Sequence, residues 1–155
     1  MNWDMIFGAA NLWALLCWGV LALTPKRERV LPYLFLAGSV LLACVYAALI
    51  VPLMAGWISD GGPVGRPPAD FTTLSGVMAL FDSPGGATIG WIHYLAFDLF
   101  VGIWIARNAD RHAIARWVQL PILFFALMAG PIGLLLYLLI RAFVGKKPDN
   151  AALPS

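Results

Sequence analysis

The sequence predicts an all-α integral membrane protein with four transmembrane helices and one short interfacial or re-entrant helix. Two observations carry this prediction. First, 61% of the 155 residues are hydrophobic and only 12% are charged, whereas a soluble domain is roughly half apolar and about a quarter charged. Second, the apolar residues form four runs, each close to the roughly 20 residues that a helix needs to cross a hydrocarbon layer. A soluble globular fold is therefore excluded.

The first two spans are predicted at residues 3–23 and 30–54. Span one ends in a loop with three basic residues. Span two carries Pro32 in its first turn and Pro52 in its last, where proline is tolerated. Residues 56–70 contain four Gly and three Pro, so they cannot continue a helix and are expected to form an exposed loop.

A short helix is predicted at residues 71–81, with Asp70 as its N-cap. Its apolar positions 74, 77, 78 and 81 share one face at helical spacing. The segment is too short to cross a membrane, so it is expected to be interfacial or re-entrant. Residues 82–86, which include Pro84 and two glycines, are expected to close it.

Spans three and four are predicted at residues 88–106 and 117–140, joined by a basic loop. Residues 1–145 would thus form a single four-helix transmembrane domain, and residues 146–155 a polar C-terminal tail. Placing the loops after spans one and three in the cytoplasm puts six of the ten Lys and Arg residues there, which the positive-inside rule modestly favours. The net charge is only +2 and no basic stripe remains, so nucleic acid is not an expected partner.

Ionisable groups inside the spans are the informative residues, because a carboxylate at the centre of a membrane helix costs about 2.5–3.5 kcal/mol. Asp98 falls at the midpoint of span three, and His93 precedes it by five residues, about 7.5 Å nearer one surface. About 140° separates the two side chains around the helix axis, so each needs a partner from another span. Asn11 and Pro131 lie at a similar depth in spans one and four. We therefore predict a buried polar cluster of Asn11, Asp98 and the broken turn near Pro131.

Structural roles compete with functional ones for both ionisable residues. Asp98 could clamp a neighbouring helix by hydrogen bonding, and His93 could be a packing or interfacial histidine. Axial haem ligation by two histidines would require His112, which lies in a predicted loop. One intramembrane histidine without a cysteine ligand motif is poor evidence for a metal, so neither a metal nor a cofactor is predicted.

Four segments carry a family resemblance: residues 10–15, 76–81, 90–102, and 130–138 followed by Arg141. The resemblance of the third segment depends on the positions of His93 and Asp98 within an apolar run, so it is more specific than a similarity in composition. Together the segments resemble the abscisic-acid-deficient-4-like family, whose plant members are the neoxanthin synthases, over nearly the whole chain. The sequence lacks the plastid-targeting extension of the plant members, so it looks like a bacterial relative, expected as a multi-pass protein of the bacterial inner membrane.

The resemblance implies an integral membrane protein of carotenoid metabolism. In the plant reaction, a 5,6-epoxide of violaxanthin opens, a proton leaves the neighbouring polyene carbon, and the allene of neoxanthin forms with no atoms gained or lost. Such an isomerisation requires an acid and a base but no redox cofactor. Asp98 and His93 are the candidate catalytic residues, with acid and base assignable either way. The candidate substrate-binding residues are Asn11, Trp91, Tyr94, Phe97 and Pro131.

Three hypotheses follow from these residues. The first is an isomerase acting on an epoxy-carotenoid or related terpenoid. The alternative is a non-catalytic carotenoid-binding or scaffold protein, and the third is a proton- or solute-conducting bundle with Asp98 as a relay. The expected partners are a carotenoid or other hydrophobic terpenoid, membrane lipid, and either a second copy of the chain or a partner carotenoid enzyme.

Overall fold

The computed structural model of the chain describes residues 1–24, 27–65 and 69–144, and these residues form helices and connecting loops without strands. Three helices are long and apolar enough to cross a membrane: α1 (Trp3–Leu23), α2 (Leu31–Met54) and α4 (Pro84–Arg111). Three shorter helices complete the described chain: α3 (Leu74–Phe81), α5 (Arg116–Met128) and α6 (Gly130–Val144). The predicted tail, residues 146–155, lies outside the described residues.

The predicted ends of the first two spans are confirmed to within one residue. The Asn2 side chain caps α1 by accepting a hydrogen bond from the backbone N–H of Met5, at 3.1 Å. A short 3₁₀ turn, Arg27–Arg29, precedes α2. Pro32 and Pro52 occupy the first and last turns of α2, where they interrupt few hydrogen bonds.

Helix α4 is longer than the predicted 88–106. It begins at Pro84 because Ser83 is an N-cap, accepting from the backbone N–H of Gly86 at 3.0 Å, and because proline suits the first helical position. The two glycines that were expected to form a turn therefore lie inside the helix. A β-carbon on Gly86 would overlap the carbonyl oxygen of Leu80, so this close approach of α3 to α4 requires glycine.

The N-cap of α3 is Thr73, and the prediction of Asp70 as its cap is wrong. Thr73 Oγ1 accepts from the backbone N–H of Gly76 at 3.0 Å. Asp70 instead accepts from the backbone N–H groups of Thr72 and Thr73, at 2.7 and 2.9 Å, and forms a turn ahead of the helix. These hydrogen bonds favour the charged form and hold the pKa of the Asp70 carboxyl below its ordinary value. The helix consequently starts three residues later than predicted.

Helix α4 is the central helix, and α1 and α2 pack along it. Trp18 of α1 lies against Gly102 of α4, where a β-carbon would overlap the indole ring. Gly38 of α2 lies close to both Cys17 of α1 and Leu99 of α4. The small residues let the three helices approach closely, as membrane helices require.

The prediction of a single fourth span is wrong. Helix α5 ends at Met128, Ala129 adopts an extended conformation, and α6 begins at Gly130. A β-carbon on Gly133 would overlap the backbone of Ala126, although residues seven apart in a continuous helix are separated by about 10.5 Å along the axis. The chain has therefore folded back. With 13 and 15 residues, neither helix reaches the roughly 20 residues of a crossing.

Both legs of the α5–α6 hairpin are tied to the last turns of α4. In α5, the Gln119 side-chain amide donates to Asp110 Oδ1 at 2.9 Å. In α6, the Tyr137 hydroxyl donates to Asn108 Oδ1 at 2.5 Å. The hairpin thus begins and ends at the same end of the bundle, and its tip points towards the middle of α4.

We call this end of the molecule the basic end. Arg27, only 2% exposed, forms a 2.6 Å ion pair with Asp110 and also donates to Gln119, so it ties the α1–α2 connection to α4 and α5. The described Lys and Arg residues all lie at this end: Arg27, Arg29, Arg107, Arg111, Arg116 and Arg141. The opposite end, called the loop end, carries Asp4, Asp60, Asp70 and Asp82.

Candidate functional site

The first cavity lies between α2, α3 and α4 and has a volume of about 310 Å³. It is lined by Tyr46, Ile50, Phe71, Val77, Leu80, Phe81, Gly86, Ile89, Gly90, His93 and Tyr94. Among these side chains, those of Tyr46, His93 and Tyr94 are polar. The cavity is therefore an apolar space with one imidazole and two phenols.

His93, which lines this cavity, contacts aromatic rings on both α2 and α4. Its ring centroid lies 5.3 Å from that of Tyr46 on α2 and 4.7 Å from that of Phe97 on α4. The ring of Tyr94 is 6.1 Å away. Positions 90, 93, 94 and 97 share one face of α4 at helical spacing, which explains why the predicted residues His93, Tyr94 and Phe97 lie together.

A second cavity, of about 260 Å³, continues along the same seam between α2 and α4. It is lined by Phe35, Ser39, Val40, Ala43, Ala96, Phe97 and Phe100. Phe97 lines the second cavity and packs, tilted by 31°, against His93 of the first. The two cavities thus adjoin at this pair, and we call them together the α2–α4 groove.

Asp98 lies on a different side of α4 and lines neither cavity. The backbone N–H of Gly130 donates to its carboxylate, and a β-carbon on Gly130 would overlap Asp98 Oδ1. The first N–H groups of a helix lack partners within the helix. In α6, the N–H of Gly130 donates to Asp98, and Pro131 has no N–H. The N–H of Ile132 donates to the carbonyl of Ala129 at 2.8 Å. Asp98 therefore caps α6 at the tip of the hairpin, where the helix dipole also favours a negative charge.

Asn11 belongs to a third setting, between α1 and α4. Its amide donates to the carbonyl of Phe7 at 2.8 Å, and its oxygen accepts from the indole N–H of Trp91 at 2.9 Å. The structure therefore brings Asp98 to the turn beside Pro131, as predicted, but pairs Asn11 with Trp91. The expected three-part cluster is divided between two seams of the bundle.

Two polar residues that line the groove, Tyr46 and Ser39, were not predicted from the sequence. Tyr46 lies in an apolar run in which nothing distinguishes it from a packing aromatic. Ser39 did leave a signal, because it is the one Ser or Thr within span two. No group of three or more His, Cys, Asp or Glu side chains comes together in the described ranges.

Comparison with known proteins links the chain to one family. The family model described as ABA4-like, ABA DEFICIENT 4-like, matches residues 5–137. The match covers the groove, α1 from Met5 onward, α2, α4 and the hairpin as far as Tyr137. No curated protein and no solved structure shows significant similarity to the chain.

Proposed function

The chain belongs to the ABA4-like family, and we propose that it binds a carotenoid or related terpenoid in the α2–α4 groove and isomerises it by proton transfer. The observation that carries this proposal is the position of His93. An imidazole can both accept and donate a proton, and that of His93 borders an apolar cavity of about 310 Å³ and contacts aromatic rings.

The shape of the groove supports an elongated apolar ligand. Along α4 the two cavities extend from Gly86 to Phe100, which corresponds to about 21 Å at the rise of an α-helix. The walls are mostly aliphatic and aromatic, so a rigid polyene would bury apolar surface along the whole seam.

The proposed reaction is the isomerisation of an epoxide to an alcohol. His93 takes a proton from the polyene carbon beside the epoxide while the C–O bond breaks, and the Tyr46 hydroxyl gives a proton to the epoxide oxygen. A proton then returns from His93 to Tyr46, so the product has the composition of the substrate. The two side chains come from α2 and α4, their ring centroids are 5.3 Å apart, and both line the first cavity, so a ligand in that cavity would meet both.

For Asp98 we propose a positioning role. The catalytic role expected from the sequence requires contact with the ligand, whereas the carboxylate lines neither cavity and already accepts the N–H of Gly130. Asp98 would then act by fixing the hairpin against α4. Asp98→Asn distinguishes a positioning role from a catalytic one, because asparagine keeps an oxygen that accepts the N–H of Gly130 but has no carboxyl group to transfer a proton.

The test is conversion of an epoxy-carotenoid by purified protein in detergent, followed by chromatography and mass spectrometry. We expect a product of unchanged mass. His93→Gln and Tyr46→Phe should each lower kcat by about a hundredfold or more while KM changes little. Tyr33→Phe is the control, because Tyr33 is 73% exposed on α2 and lies outside the groove.

Two outcomes would contradict the catalytic proposal. Full turnover by His93→Gln would remove His93 from the chemistry. Pigment that copurifies in stoichiometric amount and stays unconverted would instead identify a non-catalytic carotenoid-binding or scaffold protein.

We further propose that the chain is a multi-pass protein of the bacterial inner membrane with its basic end in the cytoplasm. Cytoplasmic loops carry an excess of Lys and Arg. The six described Arg residues at the basic end and the four Asp residues at the loop end support this orientation.

A further inference from the structure

The two cavities of the α2–α4 groove differ in polarity. The first is lined by the imidazole of His93 and the phenols of Tyr46 and Tyr94. Ser39 lies beside the second cavity, but its hydroxyl is buried within the protein, so none of the described residues presents a polar atom to this space. An oxygen atom placed there would lack a hydrogen-bond partner, which is costly. A hydrocarbon chain in the second cavity leaves nothing unpaired.

Towards the loop end, the groove stops at helix α3. Gly86, the lining residue of α4 nearest to that end, lies against the carbonyl oxygen of Leu80. One turn further along α4, Gly90 lies against the ring of Phe81, and a β-carbon on Gly90 would overlap this ring. The two helices are thus in close contact where the first cavity ends. A ligand in this cavity cannot extend past α3.

Towards the basic end, the groove stops at two aromatic rings. Phe35 and Phe100 are the lining residues of α2 and α4 nearest to that end, and their ring centroids are 6.1 Å apart. About one turn beyond them, Leu31 of α2 and Ile103 of α4 are buried in the hydrophobic core. The groove is therefore limited to the stretch from Gly86 to Phe100, about 21 Å along α4.

One long side of the groove is open. Three lining residues of α4, Tyr94, Phe97 and Phe100, are 55%, 58% and 45% exposed, and in a membrane the exposed side of a spanning helix faces lipid. A carotenoid with a ring at each end is about as long as the hydrocarbon layer, roughly 30 Å. Because it exceeds a groove that is blocked at both ends, part of such a ligand must leave through the open side.

We propose that the chain recognises only one end of its ligand. The oxygenated ring occupies the first cavity, the adjoining polyene occupies the second, and the rest of the molecule lies in the surrounding lipid. The ligand class rests on the proposed function. The ligand enters sideways from the lipid, because α3 and the pair of Phe35 and Phe100 block both ends of the groove. A truncated carotenoid that keeps one ring and about 21 Å of length is therefore also a ligand.

The test measures the affinity of the purified protein for three ligands by quenching of tryptophan fluorescence in detergent. Violaxanthin has a ring at each end, a long apocarotenal keeps one epoxide ring and a total length of about 21 Å, and a short apocarotenal fills the first cavity only. We expect the long apocarotenal to bind within about threefold of violaxanthin, because it lacks only the part that lies outside the groove. The short apocarotenal should bind about tenfold more weakly or worse, because it loses the packing contacts of the second cavity.

Two alanines of α2 provide a matched pair of variants. Ala43 lines the second cavity, whereas Ala47, one turn further along, is exposed and lines neither cavity. Ala43→Leu should fill the second cavity, weaken the binding of the long apocarotenal to the level of the short one, and leave the short one unaffected. Ala47→Leu should change neither affinity.

The ligand series in the unaltered protein can overturn this binding mode while the proposed function stands. A long apocarotenal that binds about tenfold more weakly than violaxanthin would show that the chain also recognises the far ring. Equal affinities for the short and long apocarotenals, or an Ala43→Leu variant that leaves both unchanged, would remove the second cavity from the site. Failure to bind any of the three ligands would contradict the proposed function and the binding mode together. The expected order of affinities without conversion would support the binding mode and contradict the chemistry alone.

Discussion

The two sides of α4 place their polar groups in different settings. Towards the α5–α6 hairpin, the carboxylate of Asp98 accepts the N–H of Gly130 and lines neither cavity of the α2–α4 groove. Towards α2, the imidazole of His93 borders the first cavity and contacts the rings of Tyr46 and Phe97. A polar group satisfied from within the chain contributes to the fold, whereas one that borders a cavity is available to a ligand.

The largest effect is expected from a test of the hairpin itself. If α5 and α6 return to the basic end, the C-terminus and the loop at Val64 lie on opposite sides of the membrane, whereas a fourth crossing would put them on the same side. We expect alkaline phosphatase, which is active outside the cytoplasm, to be active when inserted at Val64 and inactive when fused after residue 155. Green fluorescent protein should give the reverse pattern.

If a reporter gave the same signal at Val64 and after residue 155, the two positions would lie on one side of the membrane. The chain would then have a fourth span and no hairpin. Inverted signals at both positions would keep the hairpin and reverse the proposed orientation. Each result is all or none, which makes this the most decisive experiment.

Hydropathy predicted α1 and α2 well because both are unbroken apolar runs whose length the membrane fixes. It placed the start of α4 four residues late, since the Ser83 cap and Pro84 are signals of hydrogen bonding rather than of hydrophobicity. It also merged α5 with α6, because an apolar run that turns back at Gly130 has the same composition as one that crosses.

The candidate site was predictable to a similar extent. His93 and Asp98 could be selected because ionisable residues are rare inside spans. Which of them borders a cavity depends on how α2, α3 and the hairpin pack around α4, and helical spacing gives only their angular separation. Tyr46 and Ser39 enter the site through that packing, so the sequence alone did not identify them.

A glycine substitution tests how closely the hairpin is packed. Gly133→Val should destabilise the protein by about 3 kcal/mol, near the upper limit for overpacking, because the new β-carbon would overlap the backbone of Ala126, which cannot rotate away. Gly8→Ala is the control, since a β-carbon there has nothing within 4 Å. Thermal unfolding in detergent measures both. A Gly133→Val protein as stable as the control would show that the two legs do not touch.

The smallest effect is expected from Asp98→Asn, and its comparison with His93→Gln distinguishes the roles of the two sides of α4. Asp98→Asn keeps an oxygen that can accept the N–H of Gly130, so stability should change by less than about 1 kcal/mol and turnover by less than tenfold. Asp98→Leu removes the acceptor and leaves a buried N–H unpaired, which costs about 1–3 kcal/mol. His93→Gln should do the opposite, abolishing turnover at unchanged stability. If Asp98→Asn instead lost all turnover while remaining fully stable, Asp98 would be the acid after all, and the hairpin side of α4 would belong to the catalytic site.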